Sequence, residues 1–155
     1  MIQNQQRRVR VPIAELNRFF ATVCKRLRIP AGAITIVLVT DPKMKAWNRA
    51  FRGKNRPTDV LSFPGDDSPE QRKVSKKSRR KSRAARRPAD FYLGDMAIAP
   101  AVARSNARRF GRAFTVEMRI LILHGILHLM GYDHETDQGQ MDRREARLRR
   151  ELGLA

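Results

Sequence analysis

The run from His124 to His134, HGILHLMGYDH, constrains this chain more than any other stretch, and it holds all three histidines of the 155 residues. The first two are four apart, which on a helix puts them one turn apart on one face. The surrounding residues, Ile120 to Met130, are apolar nearly all round, so the helix that carries them is expected to be buried and central. Gly131 can adopt the left-handed conformation that ends a helix, and the chain can then turn back to set His134 against the same face. Three converging imidazoles with no fourth ligand in the run describe a zinc site with an open position, one ion per chain.

Three neutral imidazoles leave the full charge on such an ion, whereas thiolates would cancel much of it. Zinc with an open position lowers the pKa of bound water to about 7, so the chemistry suggested is hydrolysis. A bare histidine pair at this spacing is more often part of a packed core; the third histidine, with none elsewhere, favours the metal. The spacing is also that of the extended zinc-protease motif H-E-x-x-H-x-x-G-x-x-H. The glutamate that serves there as general base is replaced here by Gly125, which disfavours a peptidase of that mechanism.

At this length a single domain over residues 1–155 is expected. A formal net charge of +18 calls for a polyanionic partner, nucleic acid first and an anionic membrane surface second. Part of that charge is local. Ten lysines or arginines fall between Arg72 and Arg87, with Val74 the only large apolar residue among them. Residues 66–88 therefore read as a disordered basic insertion, for which a nonspecific RNA-binding arm and a solvated insertion without a role are both open. Cys24 is the only cysteine, which excludes a disulfide within the chain and a thiolate zinc site. The N-terminus has no apolar h-region, and the longest apolar run is too short to span a bilayer. The expectation is a soluble cytoplasmic protein without a membrane partner.

Periodicity predicts an α+β fold. Residues 8–11 alternate as a short edge strand. Ile13, Leu16, Phe19, Phe20, Val23 and Leu27 mark a helix over 13–28. The β-branched run 33–40 reads as a strand. Asp41 is placed as N-cap of a helix reaching Phe51, with Met44, Trp47 and Phe51 on its inner side. Residues 58–63 and 91–99 read as strands, and Pro100 opens a helix to about 110. Thr115 is placed as N-cap of the histidine helix, and a last helix covers 138–152.

Three motifs, WNRAFRGKNRPTDVLSFP (47–64), LGDMAI (93–98) and HGILHLMGYDH (124–134), together resemble the YbeY endoribonuclease family, also called rRNA maturation factors. The resemblance covers nearly the whole chain apart from residues 66–88. It implies a small, mostly parallel four-stranded sheet packed with about five helices, including a zinc-binding central helix. It implies zinc on His124, His128 and His134, and a single-strand-specific endoribonuclease that matures the 3′ end of 16S rRNA and serves ribosome quality control. Its partners would be the small-subunit rRNA precursor, the small ribosomal subunit and assembly factors. The family's functional arginine falls on Arg52. The chemistry agrees, because phosphodiester hydrolysis builds charge on nonbridging oxygens that a guanidinium can clamp bidentately.

The general base stays open at this level; Asp133 and Glu135 flank the third ligand, and Asp95 could lie on a strand facing the central helix and hydrogen-bond a ligand imidazole from behind. Two other functions also remain open: a ribosome-assembly factor with a structural zinc, and the zinc peptidase disfavoured by Gly125.

Overall fold

The computed structural model describes residues 1–74 and 91–154. In chain order they form β1 (Ile2–Asn4), α1 (Ile13–Arg26), β2 (Ile34–Leu38), α2 (Asp41–Arg52), β3 (Val60–Pro64), α3 (Pro69–Val74), β4 (Gly94–Ile98), α4 (Pro100–Arg109), α5 (Phe114–Leu129) and α6 (Gln140–Glu151). The sheet order is β1-β2-β4-β3. β1 and β4 run parallel to β2, while β3 pairs antiparallel with β4. The sheet is thus mixed, with two of its three pairings parallel, in an α+β fold.

The alternation of strand side chains divides the structure into two layers. Ile34, Ile36 and Leu38 of β2 and Met96 and Ile98 of β4 point to the main core, where they meet α1, α5 and α6. Leu61, Ala97 and Ala99 point the other way, into a smaller cluster with Met44 of α2. α5 is the central helix, packing against α1, α4, α6, β3 and β4. Met118, Ile122, Leu123, Ile126, Leu127 and Leu129 are all fully buried. At about 1.5–3 kcal/mol for each such side chain, this helix anchors the main core.

Gly125 is where α5 comes closest to the sheet. A Cβ there would lie 2.4 Å from Met96 Sδ and 3.3 Å from Ser62 Oγ, and the Ser62 hydroxyl donates to the Gly125 carbonyl at 3.1 Å. The position that carries glutamate in zinc proteases has no room even for a methyl group, so packing as well as composition excludes the protease base.

The structure corrects several expectations. The edge strand is Ile2–Asn4 rather than 8–11. Buried Gln6 bonds both backbone groups of Val9, its Oε1 accepting from Val9 N–H and its Nε2 donating to Val9 C=O, each at 2.9 Å. A side chain thus supplies the partner that a neighbouring strand would have given. The stretch 66–88 does not begin as coil. Residues 67 and 92 pair through backbone groups and the Asp67 carboxylate. Ser68 Oγ then accepts from Gln71 N–H at 3.2 Å, and Pro69 starts α3, a sixth helix among the described residues. Ser-Pro-Glu is a helix-start signal that the charge run obscures; residues 75–88 lie outside the described residues.

Two N-caps also shift. They are Thr40 and Ala113, neither with a side-chain cap bond, in place of Asp41 and Thr115. Phe51, expected on the inner side of α2, is 67% exposed, its ring meeting Phe63 of the edge strand β3 edge to face. Among the described residues, no helix is long and apolar enough to cross a membrane.

Candidate metal centre

α5 supplies His124 and His128 from its last two turns. Met130 caps the helix, and Gly131 follows at φ 93°, a conformation that β-carbon sterics deny to most residues. Its N–H donates to His128 C=O at 2.9 Å. The chain reverses there and brings His134 back over the helix end. The three imidazoles meet with ring centroids 4.7 Å (124–128), 5.3 Å (128–134) and 5.6 Å (124–134) apart. One nitrogen from each lies within 4.8 Å of the others, an arrangement that could hold a metal ion.

The donor set fits such an ion. His124 Nε2 and His128 Nε2 are 3.1 Å apart. Two nitrogens bound tetrahedrally at zinc distances stand about 3.3 to 3.4 Å apart, so little adjustment separates the observed pair from ligation. The tautomer is right as well. His124 Nδ1 lies 2.8 Å from Glu145 Oε2, so Nδ1 carries the proton and donates it, leaving the Nε2 lone pair for the metal. Burial, then the neighbouring His124 and His134, hold the His128 pKa below its ordinary value. That keeps His128 neutral, the form that ligates.

Glu145 is the residue that sequence reasoning missed. It sits on α6, is 12% exposed, and lies between His124 and Arg149, whose guanidinium is 3.8 Å from Glu145 Oε1. Removing it should free the His124 ring to rotate. Glu145→Ala is expected to weaken zinc affinity by about 10–100-fold, with Glu145→Gln between it and wild type, measured by competition with a chromophoric chelator.

The carboxylates proposed from sequence take up different tasks. Asp95 is exposed on the face of β4 turned away from α5 and accepts from the Tyr92 hydroxyl at 2.5 Å, so it does not hold an imidazole. Asp133 is bound into the turn, with Oδ1 accepting from Glu135 N–H at 3.0 Å and Oδ2 from Thr136 Oγ1 at 2.9 Å. Those two bonds, the backbone one first, hold its pKa below the usual value. Glu135 is exposed, 3.7 Å from the guanidinium of Arg52. Arg52, the last residue of α2, thus reaches the histidine loop. Lys54 and Arg56 lie in the exposed loop that follows, which buried Asn48 ties to α2 by donating to Arg56 C=O at 2.8 Å. Asp59 fixes the start of β3, accepting from Val60 N–H at 2.8 Å and from Asn106 Nδ2 at 2.9 Å.

A mixed sheet backed by a buried helix that presents two histidines, with a third from the loop that follows it, defines an α+β protein with a site able to hold a metal. The family model described as endoribonuclease YbeY matches residues 1–153. The chain belongs to that family. Similar relatives named endoribonuclease YbeY come from Nautilia profundicola (36% identical, covering 78% of this chain and 73% of the relative) and Solibacter usitatus (40% identical, covering 79% and 69%). A third, from Koribacter versatilis, is 34% identical and covers 87% and 74%. Among solved structures, the solution structure of TM1509 from Thermotoga maritima superimposes with a TM-score of 0.59 at 26% identity, covering 98% of this chain and 89% of that one.

Proposed function

We propose that this chain is a zinc-dependent, single-strand-specific endoribonuclease that acts in 16S rRNA 3′-end maturation and ribosome quality control. The carrying observation is the three-histidine group, with Arg52 paired to Glu135 next to His134, in a chain of the endoribonuclease YbeY family. Its substrate is the small-subunit rRNA precursor, met on the small ribosomal subunit with assembly factors in the cytoplasm. A single catalytic domain carries the activity.

His124, His128 and His134 would hold one zinc ion. When bound, zinc supplies Lewis acidity and a hydrolytic nucleophile at neutral pH. The protein's own residues do the rest. Glu145 keeps the proton on His124 Nδ1 and fixes the ring. Arg52 binds the nonbridging oxygens of the scissile phosphate, on which charge accumulates. Glu135 holds the Arg52 guanidinium near the loop until substrate arrives; an exposed pair of this kind is weak, so a phosphate can displace it. The packing at Gly125 counts against a peptidase.

The test is cleavage of a labelled single-stranded rRNA fragment by protein of known zinc content, before and after chelation. Cleavage should fall to background with chelator and return on stoichiometric zinc. Cutting that persists in metal-free protein would overturn the zinc assignment.

A further inference from the structure

Three large apolar side chains are conspicuously exposed among the described residues: Met1, Phe51 and Phe110. Phe110 already has cationic partners, with the guanidinium groups of Arg109 and Arg112 at 5.7 and 4.9 Å from its ring centroid. Phe51 is different. Among the described residues its ring partner is Phe63, met edge to face with centroids 4.9 Å apart and planes at 73°. Phe63 is gripped in turn by Trp47 at 5.9 Å and 88°. The Phe51 ring therefore stands on a built aromatic base with much of its own surface open to solvent.

It lies in a basic stretch of the chain. Between Pro42 and Pro57 the sequence holds Lys43, Lys45, Arg49, Arg52, Lys54 and Arg56 and no acidic residue, and all six cations are exposed. The ridge ends at Arg52, beside the histidine loop.

We propose that Phe51 is a stacking platform for an unpaired nucleobase, flanked by a basic ridge on α2 and its following loop that carries the backbone of single-stranded RNA to the metal centre. The inference rests on the endoribonuclease reading and deepens it. An open aromatic ring in a stretch rich in exposed cations matches the chemistry of single-stranded nucleic acid, in which bases stack on aromatic faces while lysines and arginines follow the phosphates. A duplex hides its base faces and gains nothing from the ring. A protein partner would be served poorly by six exposed cations with no acidic residue in the same stretch.

The test is equilibrium binding of a labelled single-stranded oligoribonucleotide, and of a hairpin duplex, to the zinc-loaded full chain, with cleavage followed in the same samples. Phe51→Ala should weaken single-strand binding by about tenfold. It should leave duplex affinity within about twofold, and leave the salt dependence unchanged, because no phosphate contact is lost. Phe51→Trp should restore single-strand affinity. Lys45→Ala with Arg49→Ala should instead weaken both ligands and flatten the salt slope. Circular dichroism confirms that each variant is folded. If wild type binds and cuts single strands and Phe51→Ala is indistinguishable from it, or loses affinity equally for the duplex, the platform is overturned and the enzyme reading stands. If wild type neither binds nor cuts single-stranded RNA, both fall.

Discussion

His128→Ala is expected to leave a folded protein that retains almost no zinc and cuts RNA no faster than background. The side chain stands on the last turn of α5, with its Nε2 3.1 Å from that of His124. Removing it leaves His124 and His134, whose ring centroids are 5.6 Å apart, as a two-donor set without the three ligands of a catalytic zinc site. Zinc per chain after dialysis should drop from near one to near zero. The metal's contribution to transition-state stabilisation is several kcal/mol, so cleavage should fall by about a thousandfold or more. The fold should survive, because the main core is built by Met118, Ile122, Leu123, Ile126, Leu127 and Leu129 and not by this residue. Metal analysis, circular dichroism and cleavage of one preparation together check the claim. Full zinc content in a folded His128→Ala protein would remove His128 from the ligand set.

Much of this centre was legible in sequence because it is local. Two histidines four apart, a glycine that can reverse the chain and a third histidine three residues later specify a convergent site with little help from the rest of the fold. Glu145 was not legible, since it arrives from another helix, 21 residues beyond His124, and only the packing of α6 against α5 reveals it. β1 was missed for a related reason. Ile-Gln-Asn contains one apolar residue, and the strand exists because Ile36, Val37 and Leu38 of β2 offer it a parallel partner. Phe51 shows the opposite failure. Periodicity grouped it with Met44 and Trp47, but a helical stripe is buried only as far as the neighbouring surface extends, and Phe51 meets Phe63 of the edge strand β3 while staying 67% exposed. Asp95 was placed on the wrong face for want of register. Once Met96 is known to meet Gly125, the alternation of a strand sends Asp95 to the other side.

Arg52→Ala is the second large effect, and it separates binding of the metal from use of it. Arg52 contributes no ligand atom and lies outside the histidine group; its contact is Glu135, one residue beyond His134. Its removal should therefore leave zinc stoichiometry and affinity unchanged. On the proposed role, the guanidinium meets charge that develops only as the phosphodiester breaks, and a positioned donor of that kind contributes about a hundred- to a thousandfold in rate. The loss should fall mainly on kcat if RNA affinity is shared, as proposed, among the other cations of α2 and its loop. Arg52→Lys keeps the charge but loses the two-pronged geometry, so it should recover only part of the rate. Glu135→Ala supplies the control. It releases Arg52 from its exposed partner without removing the guanidinium, so its rate should stay close to wild type. Single-turnover cleavage by the four zinc-loaded proteins, with RNA affinity measured separately, distinguishes these outcomes. An Arg52→Ala protein that cuts at the wild-type rate would assign the arginine to the RNA-binding ridge alone and leave the phosphate clamp without a residue.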